Sequence, residues 1–101
     1  MAFSIIVQDG SGEEIERSWR LGNEHYLMQE EKEFPLLGSL NLASYDVFSA
    51  EQAIALRLEL VELKNRVKDG FDRSHVDHVA QLAKMTSEIE GGTITFTPFA
   101  R

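Results

Sequence analysis

Cysteine is absent from this 101-residue chain, which excludes disulfide bonds and thiolate metal sites. No apolar run approaches the roughly 20 residues that a membrane-spanning helix needs. The first residues also lack the basic segment and the long apolar run of a signal peptide. A chain of this length forms one domain. The sequence therefore predicts a single cytoplasmic domain over residues 1–101, with no membrane partner.

Basic residues are scarce: ten lysines and arginines stand against 17 acidic residues, for a net charge of −7. Residues 1–48 hold nine acidic and three basic residues, and residues 49–101 hold eight and seven. Negative charge at this density repels phosphate, so a nucleic-acid partner is not expected. It would speed the encounter with a basic protein. The alternative is an acidic surface that only keeps the protein in solution.

Recognised catalytic motifs are missing. No serine lies in a Gly-x-Ser-x-Gly context, and the glycine-rich residues 9–12 lack the lysine of a P-loop. His75 and His78 are spaced to share a helix face, which makes them weak candidates for metal ligands. A zinc site needs three or four ligands. The alternative is that His75 and His78 are two polar residues on an exposed helix face. We predict no catalytic residue and no cofactor.

Residues 49–70 form the segment whose structure is most strongly encoded. Ser49 can accept hydrogen bonds from the first turn of a helix, and Gln52 completes a Ser-x-x-Gln capping box. The residues that follow are mostly strong helix formers. Basic residues near the C-terminal end suit the helix dipole. Gly70 is then expected just beyond the last helical residues.

The apolar residues of this helix form two rows. The first row contains Ala53, Leu56, Leu60, Leu63 and Val67, and the second contains Ile54, Leu58 and Val61. A surface helix needs only one such row. Two rows predict burial on two sides, by a sheet and by a second helix. The alternative is that Ile54, Leu58 and Val61 contact another subunit, which would make the protein a structural homodimer.

Alternating apolar and polar residues predict strands near both ends of the chain. Residues 3–8 and 14–21 flank the turn at residues 9–12 and predict an antiparallel hairpin, with Ile15 on its buried face. Residues 93–97 predict a final strand.

Helical patterns fill the middle of the chain. Residues 24–32 predict a short helix, and residues 74–90 predict a second long helix that Asp72 or Ser74 caps. The short connection after the first long helix makes the two long helices antiparallel neighbours. The sequence therefore predicts an α+β fold. In it, an antiparallel three-stranded sheet, made of the N-terminal hairpin and the C-terminal strand, packs against an antiparallel helical hairpin.

Acidic residues concentrate at two places in the first half of the chain. Glu14 and Glu16 share one face of a predicted strand, and Glu30, Glu31 and Glu33 form a cluster. Together they form a candidate docking surface for a basic protein. Simple solvation of these carboxylates is the alternative.

Residues 45–49 with Gln52 precede Leu56, Leu60 and Leu63, and residues 95–99 close the chain. This pattern resembles small uncharacterised bacterial α+β proteins that have an aromatic-led helix and a terminal strand. Some proteins of this size and acidity act as immunity proteins against toxins, so the resemblance implies a binding role. Our leading hypothesis is a non-catalytic protein-binding protein, such as an immunity or inhibitor protein whose acidic half docks a basic partner. The alternatives are a structural homodimer and a small metal-dependent enzyme around His75 and His78.

Overall fold

A computed structural model describes residues 4–18, 25–41 and 43–97, with His25 described in its backbone alone. The strands and helices are β1 (Ser4–Gln8), β2 (Glu14–Arg17), β3 (Asp46–Ser49), α1 (Ala50–Arg66), α2 (Gly70–Ser87) and β4 (Thr93–Thr97). Two short 3₁₀ turns, His25–Leu27 and Leu37–Ser39, lie between β2 and β3. The first of these turns replaces the short helix that the sequence predicts over residues 24–32.

Four strands form one antiparallel sheet in the order β2-β1-β4-β3, with both helices packed on one face of it. The α+β class is confirmed, but the prediction of three strands is wrong. The missed strand is β3, whose residue Val47 pairs with Thr95 of β4. Its last residue, Ser49, is also the N-cap of α1, so the local sequence indicates the start of a helix and not a strand.

The β1–β2 hairpin closes through a side-chain turn. One carboxylate oxygen of Asp9 accepts hydrogen bonds from the Ser11 backbone N–H (2.9 Å), the Ser11 hydroxyl (2.6 Å) and the Glu13 N–H (3.0 Å). The Ser11 hydroxyl, followed by these backbone donors, lowers the pKa of Asp9. Gly12 has a φ of 88°, a left-handed conformation that glycine adopts without strain.

A bulge in β2 explains why the expected face of this strand is wrong. Val7 pairs with Glu16 and Gln8 pairs with Glu14, so Ile15 has no partner on β1. An extra residue reverses the alternation of side chains along the strand. Ile15 is therefore exposed instead of buried, and Ser18 is buried. Residues 19–21, which the sequence assigns to this strand, lie outside the described residues.

The capping box at the start of α1 is confirmed. The Ser49 hydroxyl accepts from the Gln52 N–H (3.2 Å), and the Gln52 side-chain oxygen accepts from the Ser49 N–H (3.0 Å). The first apolar row of α1 is buried at Ala53, Leu56, Leu60 and Leu63, while Val67 is half-buried beyond the helix end.

The connection between the helices differs from the expectation. Gly70 does not follow the end of α1 at the C′ position, because it is the first residue of α2. Asp69 caps α2, since its carboxylate accepts from the N–H groups of Phe71 and Asp72, each at 3.0 Å. The expected caps Asp72 and Ser74 lie inside the helix. An aspartate cap at the first free N–H groups lets α2 begin about one turn earlier than its apolar pattern predicts.

The core lies between the helices and the inner face of the sheet. Its largest fully buried side chains are Phe34, Phe96, Ile5, Leu27, Leu37, Leu56, Leu60, Leu82, Ile94 and Val7. Three of these, Leu27, Phe34 and Leu37, come from the segment between β2 and β3, which packs beside α1. The Glu59 carboxylate of α1 holds this segment, because it accepts from the Leu36 N–H (3.1 Å) and the Leu37 N–H (3.0 Å).

Gly38 lets the same segment fold tightly on itself. A Cβ atom at this position would lie 2.2 Å from the Cα atom of Glu31, so only glycine fits. Neither described helix is long and apolar enough to cross a membrane.

Candidate functional site: an apolar ridge, an open sheet face and a buried histidine

Three large aliphatic side chains lie in one row on the solvent side of α1. Ile54, Leu58 and Val61 are 59%, 65% and 41% exposed. At 100° per residue they fall within an arc of about 60°. The expectation that the rest of the chain buries this second row is therefore wrong. We call Ile54, Leu58 and Val61 the α1 ridge.

Charges of opposite sign flank the α1 ridge. Arg57 lies about 70° to one side of it and Glu62 about 70° to the other side. Glu62 accepts a hydrogen bond from Arg66 of the same helix (3.2 Å). Arg57 forms no ion pair with any residue that the structure describes. The ridge therefore has a basic side at Arg57 and an acidic side at Glu62, where Arg66 offsets part of the carboxylate's charge.

The outer face of the sheet, which the helices do not cover, contains an open depression of about 340 Å³. Its lining residues are Ile6, Gln8, Glu14, Arg17, Tyr45, Val47, Thr95 and Thr97. The floor alternates apolar and hydroxyl side chains from three neighbouring strands, because every second residue of a strand points to this face. This arrangement provides contact area and hydrogen-bonding groups.

A bidentate ion pair lies at the β2 side of the depression. The Arg17 Nε donates to Glu14 Oε2 at 2.9 Å, and its Nη2 contacts the other carboxylate oxygen. The Arg17 hydrogen bonds lower the pKa of Glu14, and the same hydrogen bonds raise the pKa of Arg17. The pair is largely neutral as a unit, so Glu14 contributes less negative field than the sequence indicates.

The other acidic residues of the predicted docking surface differ in their surroundings. Glu33 binds Arg66 (2.6 Å), and the Arg66 guanidinium also lies 5.0 Å from the centre of the Phe34 ring. The hydrogen bonds that Arg66 donates to Glu33, and then to Glu62, raise the pKa of Arg66. Glu30 and Glu31 are exposed and form no ion pair with the described residues.

These acidic residues do not all share one surface. Glu14 faces the outer side of the sheet, whereas Glu33 contacts the helical layer through α1. Glu16 is half-buried, and its carboxylate accepts from the Arg17 backbone N–H (3.1 Å). Their role in binding stays a prediction, with Glu30 and Glu31 as its most available members.

His75 lies in the interior and joins three parts of the chain. Its Nε2 is 2.8 Å from the Ser18 hydroxyl and its Nδ1 is 2.6 Å from the Tyr26 hydroxyl. His75 is 5% exposed and Ser18 is 8% exposed. A neutral imidazole donates through one nitrogen and accepts through the other. The expectation of an exposed His75 is wrong, because residues 49 and 57 positions away in sequence supply its partners.

The same contacts limit what His75 can do chemically. A serine hydroxyl beside a histidine nitrogen is the geometry of an activated nucleophile, but both groups are buried away from solvent. Hydroxyls occupy both ring nitrogens, which leaves neither available to a metal in this arrangement. His78 is half-buried on α2. The described residues contain no group of three or more His, Cys, Asp or Glu residues placed to hold a metal ion.

No known protein provides a function for these surfaces. The resemblance to immunity proteins stays a prediction, and function is inferred below from the chain's own side chains. Comparisons with protein-family models, with curated proteins and with solved structures found no significant match.

Proposed function

We propose that this chain is a non-catalytic cytoplasmic protein that acts by binding another protein through the α1 ridge. The observation that carries this proposal is the continuous row of Ile54, Leu58 and Val61, which is exposed although its helix is otherwise well packed. Single exposed apolar residues are common on protein surfaces, but an aligned row on a helix is typical of a helix that docks against a partner.

The rigidity of α1 supports this role. Its first turn has a complete capping box, and its opposite side is anchored by four fully or almost fully buried residues. A helix held in this way presents its exposed side chains without losing much conformational entropy on binding. The buried position of Ser18 and His75 also favours binding over catalysis, since this hydrogen bond joins α2 to the residue that follows β2.

The proposal has a more specific form, in which the protein is an immunity or inhibitor protein and its acidic half steers a basic partner. The exposure of Glu30 and Glu31 supports this form. Glu14 and Glu33 contribute less, because Arg17 and Arg66 neutralise them. Electrostatic steering of this kind acts mainly on the association rate.

Affinity capture from the source cell tests the proposal with three forms of the protein: the natural chain, Leu58→Asp and Phe71→Asp. Phe71 is a matched control, because it is an exposed apolar residue on the other helix, α2. We expect a protein that the natural chain and Phe71→Asp retain and that Leu58→Asp loses, and we expect purified components to reproduce the difference. Equal binding of all partners by Leu58→Asp and the natural chain would overturn the proposal.

Stopped-flow binding of the captured partner tests whether the acidic residues steer association. We expect the double change Glu30→Gln and Glu31→Gln to slow association, with the effect shrinking as salt is raised. The double change Glu88→Gln and Glu90→Gln is the control, since both carboxylates are exposed but lie at the end of α2. Association rates that the two double changes lower equally would contradict a specific role for Glu30 and Glu31.

A further inference from the structure

We propose that the partner at the α1 ridge is a second copy of this chain, and that the two α1 helices pack in parallel about a twofold axis. This inference rests on the proposed function, because it names the occupant of the same surface. Its basis is the charge on the two sides of the ridge. A surface that binds its own copy must be complementary to itself, and the ridge meets this condition in one orientation alone.

Parallel packing brings unlike charges together. In a parallel pair, the side of each helix that carries Arg57 faces the side of the other helix that carries Glu62. The spacing of five residues is the one at which parallel helices form ion pairs across their interface. Twofold symmetry makes this contact twice. Arg57, which has no ion-pair partner among the described residues, gains one from the second copy.

Antiparallel packing brings like charges together. With the centre of the ridge on the twofold axis, Arg57 of one copy lies beside Arg57 of the other, and the acidic sides also meet each other. Lys64 extends the basic side along α1, whereas Glu51, seven residues before Leu58, lies at the N-terminal end of the row itself. The charge pattern therefore selects the parallel orientation by attraction in one case and repulsion in the other.

The residues next to the row also fit close helix packing. Ala50 and Ala55 flank its N-terminal half, and their small side chains let the two helices approach. Asn65 continues the row at the C-terminal end and is exposed in the single chain. In the parallel pair it meets Asn65 of the second copy, where the two amides can hydrogen-bond. An asparagine pair at such a position fixes the alignment of two helices.

Sedimentation velocity tests whether a second copy binds, over protein concentrations from about 1 µM to about 200 µM. We expect the natural chain and the control Phe71→Asp to dimerise, and Leu58→Asp to stay monomeric with an unchanged circular-dichroism spectrum. A natural chain that is monomeric at every concentration would overturn the inference. The capture experiment would still decide the proposed function, because a different protein partner lost by Leu58→Asp would sustain it.

Charge changes test the orientation. We expect Arg57→Glu to weaken dimerisation about tenfold, because it replaces two attractive contacts by two repulsive ones. Arg73→Glu is the matched control, since it makes the same change of charge at an exposed position of α2. The double change Arg57→Glu and Glu62→Arg should restore the natural affinity. Equal affinity for Arg57→Glu and Arg73→Glu, or no recovery in the double change, would overturn the parallel arrangement.

Discussion

The helices α1 and α2 pack against each other over the same sheet, but they place their apolar residues differently. Beyond its first turn, α2 directs every large apolar side chain into the core or against it, as at Val76, Val79 and Leu82. In α1 one apolar row is buried and the other, the α1 ridge, is exposed. The two helices are of nearly equal length and share one layer, so the difference does not arise from their place in the fold.

We expect that the exposed row of α1 is not required for folding. A helix on the surface of a domain needs one apolar side, and α1 has it in Ala53, Leu56, Leu60 and Leu63. On α2 the corresponding solvent side carries polar residues such as Arg73, Gln81 and Lys84. Under the proposed function, a contact with a partner would account for the apolar residues that remain on α1. The following changes test this difference between the helices, from the largest expected effect to the smallest.

Truncation of the buried rows should have the largest effect and should be similar in both helices. We expect Leu60→Ala in α1 and Leu82→Ala in α2 each to lower the free energy of unfolding by about 2–5 kcal/mol, because each leaves a cavity. Leu58→Ala should change the stability of the monomer by less than about 0.5 kcal/mol. Urea denaturation at low protein concentration measures all three. A loss for Leu58→Ala as large as that for Leu60→Ala would remove the distinction between the two rows.

The buried histidine of α2 should come next. We expect His75→Phe to cost about 1–3 kcal/mol, because a ring of similar size fills the space but leaves the Ser18 and Tyr26 hydroxyls without this partner. The control His78→Phe changes a half-buried residue of the same helix. Thermal unfolding provides the comparison, and a His75→Phe protein as stable as the natural chain would refute the role of His75 as a link between elements.

The N-terminal caps should contribute less, and similarly in the two helices. We expect Asp69→Ala and Ser49→Ala each to lower the unfolding free energy by about 0.5–2 kcal/mol, since each frees N–H groups of a first turn. Ser74→Ala, at one of the two cap positions that the sequence predicts, should be almost neutral because Ser74 lies within α2. A larger loss for Ser74→Ala than for Asp69→Ala in chemical denaturation would place the start of α2 at the later residue.

The ion pair between the helices should have the smallest effect. Lys64 Nζ donates to Asp77 Oδ1 at 2.9 Å, and this hydrogen bond lowers the pKa of Asp77. Both side chains are more than one-third exposed, so we expect Asp77→Asn to cost about 0.5 kcal/mol or less at neutral pH.

The pH dependence of that effect has a definite sign. A folded-state pKa below the unfolded value stabilises the fold above the ordinary carboxyl range, and this stabilisation is lost as the pH falls through the folded pKa. The difference between the natural chain and Asp77→Asn should therefore disappear by about pH 2. Glu88→Gln, at an exposed carboxylate without a described ion pair, controls for the change in net charge. A difference that persists unchanged in acid would contradict the pairing.

Local signals in the sequence predict much of this fold. The capping box of Ser49 and Gln52, the Asp9 turn and the buried row of α1 depend on residues a few positions apart, and all are confirmed. β3 depends on pairing with the distant strand β4, and the exposure of Ile15 depends on a bulge in the pairing of β2 with β1, so the local sequence of neither segment reveals them. The same reason applies to His75, whose partners lie 49 and 57 residues away.

In the candidate site, too, the sequence predicts the local features but not the contacts between distant residues. Periodicity finds Ile54, Leu58 and Val61 as a row, because a row is a property of one helix. What covers the row depends on the placement of the whole chain, and the sequence-based choice of burial is wrong for this reason. The acidic residues are found by composition, but their neutralisation by Arg17 and Arg66 requires contacts that composition does not encode.

The direct junction of β3 and α1 has a mechanical consequence. Ser49 is both the last residue of the edge strand and the cap of the helix, so no flexible linker separates them. Val47 faces the depression on one side of the molecule, and Ile54 belongs to the ridge on the other. A movement of α1 on binding a partner would therefore also move the edge strand, because no loop between β3 and α1 can absorb it.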